Sequence, residues 1–345
     1  FFQAEDGIRD SVASRGRGDV YKRQFEGRLE TVPHIDCVTV SSLIFLLAVT
    51  KMKILIAVSS QEYSGSTLSV GMQVARAFNA STTIVDVGKK ISEFSTKVVG
   101  MAQERMESWD FDRPGVDVLE WAFEYLAEKE FIERTDIEAG FPKNTLVHTG
   151  GNRLEVYLKG TVCEDVNLIL RNGEIIPELR DEVKNYGYDV TIIGGSKKRN
   201  MAHDLVQYIN SSIFVVNEFN PDQTYRILLA VDDSPGTKKA IKYGVRIAQA
   251  FNIGVDIMTV STTDHFGDDY RNAAEWAAKL LRRSGIEYQN SFQKGNPSEI
   301  ITQAAGDDHI IVMGSSTRNP LKKFFTGSKP LKVLKHCQCP TLIVQ

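Results

Sequence analysis

Arg226–Asp233 reads RILLAVDD, and Lys53–Ser60, 173 residues earlier, reads KILIAVSS. The same offset places VARAFNASTTIVDV (Val74–Val87) over IAQAFNIGVDIMTV (Ile247–Val260) without a gap, sharing Ala-Phe-Asn. A later pair, VTIIGGS (Val190–Ser196) and IIVMGSS (Ile310–Ser316), aligns at an offset of 120, so the first copy carries 173 − 120 = 53 extra residues. Self-similarity on this scale means two copies of one unit. In each copy a short, continuous apolar run, the mark of a strand buried on both faces, is followed by a polar turn and a helical stretch. In the second copy Ala240, Tyr243, Gly244, Ile247 and Ala248 recur at helical spacing. Further elements are expected at Asp269–Arg283 (helix), Glu287–Phe292 (strand), Ser298–Ala305 (helix), Ile310–Met313 (strand) and Thr341–Gln345 (strand). Alternation of this kind predicts an α/β fold of two tandem, doubly wound, Rossmann-like parallel-sheet domains.

The 53-residue excess holds an amphipathic stretch, Val116–Phe131, with Leu119, Ala122, Phe123, Leu126 and Ala127 on one face. Thr145–Lys159 reads as a hairpin around Gly150-Gly151-Asn152 and is taken as an excursion from the sheet. Glu120, Glu124, Glu128, Glu130 and Glu133 are read as a solvated helix face.

Residues 1–51 are set apart as a leader. Residues 1–24 show neither helical nor strand periodicity and resemble a translated sequencing-library adapter, with Arg17 where Leu is usual. Val38–Thr50 is apolar but, at 13 residues, shorter than the ~20 a spanning helix needs. Met52 opens the strand pattern and is read as the native start, leaving 345 − 51 = 294 residues. The expected domains are then 52–218, degenerate and carrying the insertion, and 219–345.

The chain is 42% hydrophobic and 25% charged, with a formal net charge of −3 and four cysteines. No basic field for a nucleic acid or a membrane surface follows from this balance, nor a disulfide scaffold. There is no Walker motif, no G-x-S-x-G elbow and no H-E-x-x-H, and no nucleophile or general base can be named; no catalytic residue and no metal ligand set is assigned. Cys337-Gln338-Cys339 lacks a second Cys/His pair at zinc spacing and is read as structural.

In an open parallel sheet ligands bind beyond the carboxyl ends of the strands. In the second copy these ends carry Val231-Asp232-Asp233-Ser234, Val260 and Met313-Gly314. Gly327-Ser328 precedes a short helix with Pro330 in its first turn, and a glycine before a capped helix start is suited to phosphate. Ordinary capping by Ser328 accounts for the same residues.

Over Tyr225–Gln345 these motifs together resemble the universal stress protein family. Val231-Asp232-x-Ser234 follows the first strand, Gly295-Asn296-Pro297 precedes a helix, and Cys339-Pro340 precedes the last strand. The family's G-x-x-G-x(9)-G-[ST] motif falls on Gly314, Thr317, Gly327 and Ser328. The resemblance implies an adenine-nucleotide α-hydrolase-like fold and ATP, with or without Mg²⁺, at Ala230, Val231, Asp232, Val260, Met313, Gly314, Ser316, Thr317, Gly327, Ser328 and Lys329. Thr317 departs from the motif: a β-branched residue suits positive φ poorly and brings a side chain towards the phosphates. In the first copy Ser59-Ser60 stand where the Asp is expected, Lys197 falls in the motif, and nine residues of the loop are missing.

The expectation is a cytoplasmic nucleotide-binding regulatory protein of the stress response. Its two copies should pair through the final strands, Ile213–Val216 and Thr341–Val344, with further homo-oligomers and an unidentified protein partner open. The alternative is a regulatory or scaffold module that binds no nucleotide and acts through protein partners.

Overall fold

Both copies open on a strand buried on its two faces, and the fold grows from these. The structure, a computed structural model, describes residues 51–88, 115–142, 146–150, 152–163, 165–195, 200–217, 219–315 and 329–345. The leader, apart from Lys51, lies outside them.

The strands of the first half are β1 (Lys53–Val58), β2 (Ser81–Gly88), β3 (Val147–Gly150), β4 (Arg153–Lys159), β5 (Asp165–Asn172), β6 (Val190–Gly194) and β7 (Ser212–Val216). Those of the second are β8 (Arg226–Ala230), β9 (Val255–Ser261), β10 (Tyr288–Lys294), β11 (His309–Gly314) and β12 (Thr341–Val344). Its helices are α1 (Gln61–Phe78), α2 (Val116–Glu128), α3 (Arg134–Ala139), α4 (Ile175–Tyr186) and α5 (Asn200–Tyr208), then α6 (Thr237–Phe251), α7 (Asp268–Arg283), α8 (Pro297–Ala305) and α9 (Lys329–His336).

All twelve strands form one sheet, ordered β10-β9-β8-β11-β12-β7-β6-β1-β2-β5-β4-β3. Within β10-β9-β8-β11-β12 every pairing is parallel. So is every pairing within β7-β6-β1-β2-β5, which repeats the same order in reverse. The halves meet where β12 pairs antiparallel with β7 (Thr341↔Val215, Leu342↔Phe214, Ile343↔Ile213). One face of the sheet is covered by α1, α2, α6 and α7, the other by α4, α5, α8 and α9, a doubly wound arrangement. Lys51–Gln345 close into one unit.

The repeat has physical content. Gly71 of α1 and Gly244 of α6 occupy matching positions, and a Cβ on either would meet Ile56 (2.7 Å) or Leu229 (3.2 Å), themselves matching residues of β1 and β8. The helices can lie close on their central strands only because these side chains are missing. The shared asparagines, Asn79 and Asn252, end α1 and α6 in the left-handed conformation (φ 47° and 53°), which Asn tolerates better than most residues.

The hairpin corrects the sequence reading. It is not an excursion: β4 lies antiparallel along the whole of β5, from Arg153↔Arg171 to Lys159↔Asp165, and β3 forms the edge. The reason lies in β5, DVNLILRN, which is buried along most of its length and needs a neighbour. Its counterpart β10, YQNSFQK, is mostly exposed and polar, as a sheet edge can be. On α2, Leu119, Ala122, Phe123 and Leu126 are buried as the periodicity required.

Candidate functional site

The carboxyl ends of β8, β9 and β11 create a cleft because their residues alternate in size across the sheet. Ala230 stands between Met258 on β9 and Met313 on β11 in one hydrogen-bonded row. A methyl between two longer side chains leaves a hollow on that face, and Val260, two residues beyond Met258, extends it. Helices α8 and α9 pack on each other above it and supply Pro297, Ile301, Lys329 and Pro330. The cleft is shallow and open to solvent at its mouth.

Seven sequence-named residues line it: Ala230, Val231, Asp232, Val260, Met313, Gly314 and Lys329. Ser316, Thr317, Gly327 and Ser328 lie outside the described residues, as do Lys197, Lys322 and Lys323. Met258, Pro297, Ile301 and Pro330 complete the lining; the sequence reading assigned none of them to the site, although Pro297 and Pro330 were noted at their helix starts. Met258 was legible as the same-face neighbour of Val260 at strand spacing. Pro297 and Ile301 follow the Gly295-Asn296 turn at i, i+4.

The polar groups sit at the mouth. The Asp232 carboxylate accepts hydrogen bonds through Oδ1 from the Ser234 N–H (3.0 Å) and the Thr237 hydroxyl (2.6 Å), which fixes it at the start of α6. Its Oδ2 faces the Lys329 ammonium at 3.9 Å. Asn296 caps α8 by accepting from the Ser298 N–H and hydroxyl (3.2 and 2.9 Å). Burial, with Asp233 and Asp232 nearby, raises the Tyr270 hydroxyl above its ordinary range, so it stays protonated.

Gly314 has a role the sequence did not suggest. A Cβ there would meet backbone atoms of Gly236 and Thr237 at 2.6 and 2.8 Å. The position is glycine because β11 ends against the first turn of α6, whatever occupies the cleft.

In the first half the matching row is Val85–Ala57–Ile193, with β-branched residues in place of both methionines. Ser59 replaces Asp232 and bonds Ser64, through its N–H at 2.9 Å and with the two hydroxyls 3.2 Å apart. The sulfurs of Cys337 and Cys339 are joined in a disulfide, and both residues are buried. Among the described residues no cluster of three or more His, Cys, Asp or Glu could hold a metal ion, and no helix is long and apolar enough to cross a membrane.

Residues 224–345, the half that builds this cleft, match the family model of the universal stress proteins. This part of the chain is similar to the universal stress proteins. A universal stress protein of Methanocaldococcus jannaschii is 26% identical to it over 145 residues, 36% of this chain and 85% of the relative. One of Bacillus subtilis is 27% identical over 145 residues, covering 98% of its own length. The crystal structure of a universal stress protein from Archaeoglobus fulgidus superposes on 85% of this chain and 96% of its own, with a TM-score of 0.50 and 14% identity, a likeness of fold. The matched segment takes in β12, the strand that pairs with β7 of the first half.

Proposed function

We propose that the cleft of the universal stress protein domain binds one adenine nucleotide, ATP, per chain, and that the protein acts as a nucleotide-dependent regulator in a stress response. The observation that carries this reading is convergence: seven residues named for this ligand, from three strand ends and the start of one helix, line one cleft. The chemistry agrees. An apolar floor of Ala230, Met258, Val260 and Met313 suits the face of a purine ring. Asp232 offers an acceptor to the ligand's amino or hydroxyl groups. Lys329, at the start of α9, offers charge and a helix N-terminus to its phosphates. Residues 219–345 carry the site. The first half, with Ser59 bonded to Ser64 and shorter side chains along the matching row, has the role of a structural partner.

Calorimetric titration of the purified chain with ATP, beside chromatography of small molecules released on denaturation, tests the reading. The expected stoichiometry is one. A stoichiometry of two would assign a site to each half. No heat and no released nucleotide would transfer the function to the alternative, a module acting through protein partners alone.

A further inference from the structure

The disulfide between Cys337 and Cys339 does little for stability. One residue separates the two cysteines, and a bond that closes so short a loop constrains the unfolded chain least. Its place in the fold gives it another use. Cys337 ends the helical run of α9, its N–H donating to the Val333 carbonyl at 2.8 Å. Cys339 belongs to a fixed anchor: its carbonyl accepts from Asn217 Nδ2 of the first half (3.3 Å) and from the Thr341 hydroxyl of β12 (3.2 Å). The next carbonyl, of Pro340, accepts from the Ile311 N–H of β11 at 2.9 Å. The bond therefore ties the last turn of α9 to the strands. α9 has eight residues, too few to hold a helix without tethers, and its first two, Lys329 and Pro330, line the cleft.

We infer that Cys337 and Cys339 form a reversible redox latch on α9, closed as the disulfide and opened by a dithiol reductant, that sets how firmly the cleft is roofed. Its effect on ligand affinity rests on the nucleotide reading above. Both residues are buried, at 4% and 3% exposure, but Gln338 between them and His336 before them are exposed. Residues 337–340 belong to neither helix nor strand, so a local opening of this short segment brings the sulfurs to solvent. A reductant thiolate attacks one sulfur; the S–S bond breaks, and the other sulfur leaves as a thiolate that takes up a proton. The second thiol of the reductant then displaces the first sulfur from the mixed disulfide. The pair has gained two electrons and two protons, both from the dithiol, which departs as its own disulfide. Glutathione disulfide drives the reverse. In the reduced form α9 keeps its packing on α8 and α5 but loses its covalent tether at β12, and a ligand must order the roof it binds.

The test compares the full chain equilibrated in dithiothreitol with the full chain equilibrated in glutathione disulfide. Peptide mass after alkylation reads the state of Cys337 and Cys339, hydrogen exchange reads α9, and calorimetry reads ATP binding. The pair should open and close without unfolding of the chain. With the pair open, the amides of α9 should exchange faster and ATP should bind more weakly, each by at least about fivefold, the low end of ordinary coupling between two sites. The double variant Cys337→Ser, Cys339→Ser should behave as the reduced chain in both reagents. A disulfide that dithiothreitol reduces only in denaturant, or α9 amides that exchange alike in both states, would overturn the latch. Equal ATP affinity in the two states would overturn its control of the cleft and leave the nucleotide site standing. Absence of ATP binding in both states would remove the nucleotide reading alone, and the exchange of α9 would still decide the latch.

Discussion

Leu342 of β12 and Phe214 of β7 stand directly opposite each other where the sheet changes from parallel to antiparallel, and both are buried completely or nearly so. The pair joins the two copies of the repeat, so its packing energy is shared by both. Phe214→Ala should cost about 3–5 kcal/mol, the usual range for deleting a buried aromatic ring. Urea unfolding followed by tryptophan fluorescence checks it. A loss under about 0.5 kcal/mol would mean the halves are held together elsewhere.

Ala230 leaves the hollow between Met258 and Met313, and a larger side chain there would fill it. Ala230→Leu should reduce ATP affinity at least about a hundredfold, a change of about 2.7 kcal/mol. Ala57→Val, at the matching place in the first half, should leave affinity within about twofold. Calorimetry on both variants distinguishes a cleft in the second half from a general effect on the sheet.

Asp86 is almost wholly buried at the end of β2. Burial, aided by the nearby Asp117, pushes its carboxyl up from 3.8 to about 7. The folded chain therefore holds a proton that the unfolded chain has released. The resulting stability is fully present below about pH 3.8 and is lost as pH rises through about 7. Asp86→Asn should remove that slope, so the variant gains on the wild type steadily from pH 4 to pH 8. Urea midpoints differing by a constant amount across this range would contradict the assignment.

Glu182 of α4 is completely buried and accepts from Arg171 Nη1 (2.8 Å), Tyr188 Oη (3.0 Å) and Arg153 Nε (3.3 Å). Arg153 is paired with Glu155 as well. Glu182→Ala would leave the guanidinium of Arg171 with Glu178 alone and should cost about 3–5 kcal/mol. Glu182→Gln, which keeps the volume and two of the acceptor contacts, should cost less. Chemical denaturation orders the three proteins, and ATP binding should be unaffected in both variants.

The repeat made the central strands, their flanking helices and the floor of the cleft legible, because a buried parallel strand leaves a continuous apolar run. What it could not show is helix rotation. Whether Ile301 or a neighbour faces the cleft depends on how α8 packs against α9. The hairpin was recognised by its alternation, but its attachment to β5 follows from the apolarity of β5, a property of the neighbour. Gly314 was found for one reason and is required for another. His309 belonged to no motif, yet its Nε2 lies 3.0 Å from Asp256, which Arg226 also grips. These residues are 53 and 30 positions away from Asp256, and only the sheet brings them together.

The reversal of strand direction at β12 and β7 decides where a second molecule could touch this protein. The carboxyl ends of β8, β9 and β11 open on one rim of the sheet; those of β1, β2 and β6 open on the other. A strand of five residues, such as β8, spans about 17 Å, so the ribbon has two ends that face opposite ways. A molecule capping the cleft therefore sees the amino ends of the first half beside it. It cannot read both copies of the repeat by the same features, and the fold presents two chemically different ends to its surroundings.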